Sequence, residues 1–237
     1  MPEQKVFLRA EWRNLLIANY ICDPAILQPY LPAKTVLDTY KGEHLVSLVA
    51  FQFLNTAVMA IKFPFHTNFV EINLRLYVKH QDNGEWKRGV VFVKEIVPRS
   101  MITFVANTLF NENYVTMPTA GQISKSADVI TANYTWGKAS KFAATAQLQT
   151  QAIEADSIEE FITEHYWGYA AIDAAQTNQY GVEHPRWNVH PLINFSIQTN
   201  FETLYGSNFA FLNQAQPHSV LFAAGSPVLV RKGYPIT

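Results

Sequence analysis

The sequence predicts an α+β fold in which many antiparallel strands and about three short helices share a curved or closed sheet. Apolar or alternating segments of strand length recur along the chain, beginning with 12–22, 44–55 and 69–80. Helical spacing of apolar residues, in contrast, is confined to a few short segments. Strands therefore form the framework, and the helices are additions to it.

The first part of the chain predicts two buried strands separated by a short helix. The segments "WRNLLIANYIC" (12–22) and "HLVSLVAFQFLN" (44–55) are almost continuously apolar. Between them, Asp23 can cap a helix and Pro24 suits its first position. Pro29 prevents that helix from continuing beyond one or two turns.

The segment "FVEINLRLYVKH" (69–80) alternates between apolar and polar residues, as expected of a strand with two different faces. The apolar members are Ile72, Leu74, Leu76 and Val78, and the polar members are Glu71, Asn73, Arg75, Tyr77 and Lys79. A solvated polar face is common in antiparallel sheets. The mixture of an acid, an amide, an arginine and a tyrosine is also typical of polar pockets, so the residues alone leave both interpretations open.

The next segments predict a hairpin and a helix. Asn83-Gly84 indicates a turn in a loop longer than two residues, with Lys87-Arg88 in that loop and a partner strand at 89–97. The segment 100–110 predicts a helix, because its apolar residues recur at helical spacing. Those residues are Ile102, Val105, Ala106 and Leu109.

The second half of the chain predicts further strands and the clearest helix, at 157–171. Two antiparallel strands should flank Gly137-Lys138. Ser157 and Glu160 form a capping box before an apolar stripe that includes His165, which we expect to be a core histidine with one hydrogen bond. The segments "INFSIQTNF", "SVLFAAG" and "PVLVRKG" predict the closing strands.

Composition excludes several classes of protein. The net charge is −1 with no basic block, so no nucleic-acid partner is expected. The single cysteine, Cys22, excludes an internal disulfide and favours a reducing compartment. Neither a signal peptide in "MPEQKVFLRAEWRN" nor a membrane-spanning segment is visible, so we expect a soluble, cytoplasmic protein without a membrane partner.

Several stretches together resemble a known family. They are "WRNLLIANYICDPAILQPYLP", "FVEINLRLYV", "GVVFV", "SIEEFITEHYWGY" and "HSVLFAAGSPVLV". In this order, from about residue 8 to residue 232, they resemble the YqjF-like family of uncharacterised conserved proteins, which belongs to the acetoacetate decarboxylase-like superfamily. The resemblance implies one domain over 1–237, a closed or conical and mostly antiparallel β-barrel with outer helices and a central pocket, and assembly into at least a dimer.

The resemblance also implies roles for individual residues. Glu71 matches a glutamate that faces the pocket, and Arg13 matches an arginine of the first strand. The decarboxylases form a Schiff base through a lysine activated by a second lysine. Here Tyr114 takes the position of the first lysine and Val115 that of the second, and Asn113 replaces the preceding proline. Tyrosine cannot form an imine with a ketone, so decarboxylation through a lysine is not expected, and no cofactor is implied.

Other candidate residues lie outside the central strand. In "VEHPRWNVHP", His184 and Trp187 either lie over the pocket mouth or pack at the surface; the spacing of His184 and His190 is not that of metal ligands, and no metal is predicted. Arg99 either forms a surface ion pair or reaches the pocket. No nucleophile elbow, phosphate loop or dinucleotide fingerprint occurs in the sequence.

The leading functional hypothesis is a protein that encloses a small carboxylate or carbonyl compound. Arg13 or Arg75 would hold its anionic end, Glu71 would accept a hydrogen bond or act as a base, and Tyr114 would donate to a carbonyl oxygen. Two alternatives stay open. One is a lysine-independent lyase or hydratase with Glu71 as general base. The other is a non-catalytic interaction protein whose barrel is filled by side chains.

Overall fold

A computed structural model describes residues 5–236 of the chain. The ends of the predicted domain, residues 1–4 and 237, lie outside the described residues. The strands are β1 (Val6–Ile21), β2 (Val36–Leu37), β3 (Leu45–Val58), β4 (Phe69–Asp82), β5 (Glu85–Val97), β6 (Tyr114–Thr116), β7 (Thr119–Lys125), β8 (Val129–Trp136), β9 (Ser140–Gln147), β10 (Gln151–Ala152), β11 (Trp167–Ala171), β12 (Thr177–Glu183), β13 (Asn188–His190), β14 (Leu192–Gln198), β15 (Ser219–Arg231) and β16 (Tyr234–Ile236). The α-helices are α1 (Pro24–Leu27), α2 (Ser100–Phe110), α3 (Ile158–Thr163) and α4 (Phe201–Tyr205).

The strands form two sheets. The large sheet has the order β10-β13-β15-β1-β3-β4-β5-β11-β12-β16, with β2 beside β4 and β6 beside β5, and β12 pairs additionally with β15. The small sheet has the order β14-β9-β8-β7. Apart from β5–β11 and β5–β6, the pairs are antiparallel. The prediction of a mostly antiparallel sheet with few helices is confirmed.

The central strands of the large sheet are covered on both faces. On one face, Leu16, Leu48 and Leu74 belong to a core that includes Tyr134 and Phe142 of the small sheet. On the other face, residues of the opposite strand parity form a second core with α3 and the segment before β13. Glu71, Asn73 and Arg75 share this second face, because they have the parity of Tyr77, which belongs to that core.

The hairpin between β4 and β5 is tighter than predicted. Its loop is only Asn83-Gly84, with φ of 51° and 86°, the left-handed pair that a type I′ turn requires. Asp82 and Glu85 already face each other across the ladder. The prediction of a longer loop was therefore wrong, and Lys87-Arg88 lie within β5.

The predicted helix at 157–171 is two elements. Ser157 caps α3 through a 3.1 Å hydrogen bond from the Glu160 amide, as predicted, but α3 ends at Thr163. The next residues form β11, which pairs with both β12 and β5. Within β11, a Cβ atom on Gly168 would lie 2.1 Å from Cζ of Tyr180, so the glycine permits this pairing. Tertiary pairing of aromatic residues thus overrides the helical spacing.

The other segments agree with the sequence analysis, with two additions. Helix α2 and the β8–β9 hairpin form where predicted. The two predicted final strands are one strand, β15, in which Gly225 has φ of 76° and approaches the Trp12 carbonyl so closely that a Cβ would meet it at 2.0 Å. Helix α4 was not predicted. No helix within residues 5–236 combines the length and apolarity needed to cross a bilayer.

Candidate functional site

A cavity of about 510 Å³ opens beside the polar face of β4. Its walls come from β1, β3, β4, β5, α2, the loop at 59–66, the segment after α3, and β12. Most lining side chains are apolar, among them Trp12, Val49, Phe51, Phe53, Phe69, Phe92, Ile102, Val105 and Val182. The cavity thus has the apolar character typical of small-molecule sites.

Three carboxyl groups meet at one end of the cavity. Glu71 lies on β4 and Glu95 on β5, and Glu112 follows α2; all three line the cavity. Strand pairing explains the first two, since Glu95 is opposite Asn73, two residues from Glu71. Glu112 lies close to the other two carboxyl groups because the chain turns back after α2 and β6 pairs with β5.

Hydrogen bonds hold two of the three carboxyl groups. Glu71 accepts from Nδ2 of Asn73 at 3.0 Å and from the Tyr114 hydroxyl at 3.1 Å. Glu112 accepts from the Tyr180 hydroxyl at 2.5 Å. Oε2 of Glu95 is buried and has no partner among the described residues. Hydrogen bonds within the described chain therefore satisfy the cluster only in part.

Burial dominates the acid–base behaviour of this cluster. Desolvation raises the pKa of Glu71 to about 7, against the opposing effects of Asn73, Tyr114 and Arg75. Desolvation likewise raises the pKa of Glu112 to about 8. Burial, reinforced by the charges of Glu112 and Glu71, raises the pKa of Glu95 well above its usual range. Near neutral pH the cluster therefore retains protons, with Glu71 about half protonated, so its carboxyl groups can donate as well as accept hydrogen bonds.

Arg75 lines the same cavity further along β4. One of its terminal nitrogens donates to the Ile162 carbonyl at 3.4 Å, and its Nε is buried without a partner among the described residues. Close by, His165 is buried and makes one hydrogen bond, between Nε2 and Oδ2 of Asp38 at 3.3 Å. The description of His165 as a core histidine fits, but its ring also lines the cavity.

His184 and Trp187 lie in the cavity wall. Their rings stack with centroids 4.3 Å apart and an interplanar angle of 20°. Trp187 is buried and donates from Nε1 to the Ser226 hydroxyl at 2.8 Å. Both residues line the cavity, so the loop at 184–187, between β12 and β13, forms part of the cavity wall and does not only pack at the surface.

Arg13 and Arg99 lie away from the cavity. Arg13 forms an ion pair with Glu11 at 2.7 Å and donates to the Gly225 carbonyl at 3.2 Å. Its orientation follows from an irregularity in β1, where Asn14 has φ of 57° and the register with β3 shifts. Arg99 is exposed and lines a separate surface groove with Pro98 and Thr116.

Sequence reasoning missed Glu95, Glu112 and Tyr180. Glu95 could have been found from the sequence, because a carboxylate inside the apolar segment "GVVFVKEIV" cannot be solvated if the strand is central. No sequence pattern indicates Glu112 and Tyr180, since they lie on a loop and on a strand that only the tertiary structure brings together.

Several residues that line this cavity carry a buried polar atom without a partner in the described part of the chain. Six buried polar atoms in its walls have no protein partner: Trp12 Nε1, Thr56 Oγ1, Asn73 Oδ1, Arg75 Nε, Glu95 Oε2 and His165 Nδ1. Buried polar groups without partners are costly, so the cavity is suited to contents that supply polar atoms. Over residues 5–236 the lining contains no lysine, and no group of three potential ligands is arranged to hold a metal ion.

The entrance to the cavity is apolar. Four apolar side chains of the cavity lining are at least half exposed to solvent. They are Met59 and Phe63, from the loop after β3, and Met101 and Leu109, from α2. The solvent-exposed part of the lining is therefore largely apolar.

Comparison with known structures shows the fold. The chain is similar to acetoacetate decarboxylase from Legionella pneumophila, with 13% identity, coverage of 100% of this chain and 92% of that chain, and a TM-score of 0.64. An acetoacetate decarboxylase-like enzyme from Sphingomonas wittichii RW1 has 12% identity, coverage of 98% and 94%, and a TM-score of 0.63. The enduracididine biosynthesis enzyme MppR, in complex with pyruvate, has 9% identity, coverage of 100% and 92%, and a TM-score of 0.62.

Comparison at the level of sequence identifies the family. The uncharacterized protein YqjF of Bacillus subtilis (strain 168) is 25% identical over 169 residues, which are 70% of this chain and 68% of that protein. Residues 9–227 match DUF2071, "Uncharacterized conserved protein (COG2071)". The chain therefore belongs to the DUF2071 family, is a YqjF-like protein and has the acetoacetate decarboxylase-like fold.

Proposed function

We propose that the protein binds a small carbonyl compound or carboxylate with an apolar body in the cavity beside Glu71. The observation that carries the proposal is the meeting of three carboxyl groups, those of Glu71, Glu95 and Glu112, at one end of a mostly apolar cavity. Burial raises the pKa values of all three. A neutral carboxyl group in an apolar surrounding is a good hydrogen-bond donor to a carbonyl oxygen. A pocket of about 510 Å³ is within the range of small-molecule sites.

The roles are divided between the two polar parts of the cavity. Protonated Glu71 is the proposed donor to the carbonyl oxygen, and Tyr114, whose one proton is donated to Glu71, orients that carboxyl group instead of donating to the ligand as the sequence suggested. Arg75 is the proposed partner of an anionic end, since Arg13 and Arg99 lie outside the lining. His184 and Trp187 provide a flat wall for the apolar body. The pyruvate complex of MppR, a protein of similar fold, supports a small carbonyl acid as the ligand class.

The proposed chemistry does not use an imine. The resemblance to the decarboxylases implies that Tyr114 takes the position of their lysine, and no lysine of residues 5–236 lines the cavity. Borohydride reduction of the protein with a panel of keto acids should therefore leave its mass unchanged. A stable adduct on a lysine would overturn this part of the proposal.

A second candidate function is proton transfer next to a carbonyl group. The pKa of Glu71, raised to about 7, suits a general base near neutral pH, and the neighbouring acids could polarise the carbonyl oxygen. Deuterium exchange at the carbon next to the carbonyl of a bound ketone, followed by NMR, tests it. Glu71→Gln should abolish exchange while binding persists. Exchange at an undiminished rate in this variant excludes Glu71 as the base.

The non-catalytic alternative with a filled interior has less support, because an open cavity of this size is not filled by side chains.

We also propose that the large sheet closes into a conical barrel, which the additional pairing of Val182 with Val230 and Glu183 with Leu229 supports. A single domain, assembly into at least a dimer, and a cytoplasmic location stay predictions; light scattering on the purified protein tests the assembly.

The decisive experiment asks what the cavity contains. Native mass spectrometry of freshly purified protein, followed by denaturing analysis of released compounds, should reveal a small carbonyl compound or acid. Ala106→Trp, which places a large side chain in the cavity wall, should lose that compound. If added ketones and keto acids neither bind nor raise the melting temperature at any pH, the proposal fails.

A further inference from the structure

A second polar part of the cavity is formed by Arg75 and His165, at a distance from the carboxyl cluster. Arg75 lies four residues after Glu71 on the same face of β4, roughly 13 Å along the strand. Arg75 and His165 share a neighbour: the ring of Tyr77 is 5.5 Å from the Arg75 guanidinium carbon and 4.8 Å from the His165 ring, and the charge of Arg75 acts on His165. Both residues line the cavity.

Arg75 has an unmet capacity to bind an anion. No carboxylate of residues 5–236 lies within ion-pair distance of its guanidinium group. That group lies over the Tyr77 ring and donates one long hydrogen bond, to the Ile162 carbonyl. Its buried Nε–H group has no protein acceptor. A guanidinium group in this state is best satisfied by a carboxylate.

His165 has an unmet acceptor. Asp38 fixes the His165 ring through a hydrogen bond with Nε2. Asp38 is itself held by hydrogen bonds from Arg88 at 2.6 Å and the Thr39 amide at 3.0 Å, and it contacts Lys79 at 3.2 Å. Because a carboxylate only accepts, Nε2 carries the proton and Nδ1 has a free lone pair. Nδ1 is buried without a protein partner, and the side chain is only 1% exposed.

We propose that Arg75 and His165 form a carboxylate subsite in which His165 takes up a proton from solvent as the carboxylate binds. This inference rests on the proposed function and narrows its ligand to a keto acid. The carboxylate would lie at Arg75 and His165, and the carbonyl group would point toward Glu71 and Tyr114. Several methylene groups between the two would cross the apolar wall.

The proton uptake follows from the charges around the ring. In the free protein, burial and the nearby cations Arg88 and Arg75 disfavour the imidazolium, and Asp38 alone favours it; the pKa of His165 is lowered to about 4. A bound carboxylate would neutralise Arg75 and would face the lone pair of Nδ1. The imidazolium would then lie between two carboxylates, and their charges would raise the pKa of His165. Lys79 acts on the ring only through Asp38.

Calorimetry with matched probes tests the subsite. Straight-chain keto acids with a terminal methyl ketone are compared with methyl ketones of the same length that lack the carboxylate. Repeating the titrations in buffers of different ionisation enthalpy gives the number of protons taken up. We expect the keto acid to bind at least about tenfold more tightly than its ketone. We also expect its affinity to fall as pH rises from about 5 to about 7, by up to tenfold per unit.

Variants separate the contributions. Arg75→Gln should weaken keto acid binding by about tenfold to hundredfold and leave ketone binding unchanged. His165→Gln should remove the proton uptake and the part of the pH dependence that belongs to His165, because the amide cannot be protonated. Lys79→Gln is the matched control: like Arg75→Gln it removes a cation of β4, but Lys79 contacts Asp38 and does not line the cavity, so affinity should change by less than about threefold.

The outcomes distinguish the subsite from the proposed function. If ketones and keto acids bind equally and without proton uptake, the subsite is wrong and the proposed function stands. If neither probe binds, both are wrong. His165→Gln could fail to fold because Asp38 loses its partner. In that case the keto acid affinity of Arg75→Gln, together with the number of protons taken up by the wild-type protein, still tests the subsite. Keto acid affinity unchanged in Arg75→Gln would refute the subsite by itself.

Discussion

The Tyr114 hydroxyl donates a 3.1 Å hydrogen bond to Oε2 of Glu71, across 43 residues of sequence. Tyr114 is held there because β6 pairs in parallel with β5, which places it opposite Glu95. One tyrosine thereby lies between two buried carboxyl groups. Burial and the charges of Glu71 and Glu95 raise its pKa well above the usual range, so the phenol stays a neutral donor.

The carboxyl cluster should make the protein less stable as the pH rises. The pKa of Glu71 is about 7 in the folded protein and near 4.5 when unfolded, so the unfolded state loses its proton first. Stability is then fully present below about pH 4.5 and is lost as pH rises through about 7. For Glu71 alone the loss amounts to about 3 kcal/mol. Urea unfolding followed by circular dichroism across this range measures it.

Glu71→Gln provides the direct check of that pH dependence. A glutamine stays neutral, so the variant should match the wild type near pH 5 and exceed its stability near pH 8 by about 2–3 kcal/mol. Glu85→Gln, at an exposed position of the hairpin, should leave the profile unchanged. A wild-type profile that is flat, or that rises over this range, would contradict the raised pKa values of the cluster.

Asp38 should stabilise the fold. Burial by itself would raise the pKa of Asp38, but hydrogen bonds from His165 and Arg88 and the charge of Arg88 hold it well below its ordinary value. This contribution is present above about pH 4 and is lost as pH falls through the lower, folded-state pKa. Asp38→Asn should cost about 3 kcal/mol at neutral pH, because it leaves neighbouring cations unpaired. Asp82→Asn, which breaks a partly exposed pair with Lys87, should cost less.

Filling the cavity should block binding without unfolding the protein. Ala106 lies on α2 in the cavity wall, so Ala106→Trp should abolish the thermal stabilisation produced by a ketone or keto acid. Thr108→Trp places the same side chain on an exposed position of α2 and should retain that stabilisation. Equal ligand responses in the two variants would show that ligands bind elsewhere.

Gly168 should be intolerant of a side chain. A Cβ atom there would overlap the Tyr180 ring, whose hydroxyl bonds Glu112. Gly168→Ala should cost about 3 kcal/mol by overpacking and displace that ring from the carboxyl cluster. Gly181→Ala, where the nearest atom would be 3.5 Å away, should cost less than about 1 kcal/mol. Chemical denaturation compares the two variants.

The sequence by itself determined the strands and the polar face of β4. Side chains alternate strictly along a regular strand, so the parity of Glu71, Asn73 and Arg75 was readable without any partner. Local chemistry also identified the Asp23 and Ser157 caps and helix α2, because capping and helical spacing act within a few residues.

Only the tertiary structure decided which side chains meet. A register shift at Asn14 turns Arg13 away from the cavity, and strand pairing converts residues 167–171 from a predicted helix into β11. The return of the chain after α2 brings Glu112 to Glu71 and Glu95, although nothing near it in sequence indicates a site. Periodicity reports the conformation of a segment, whereas a site depends on long-range pairing and on the loss of water around groups that are far apart along the chain.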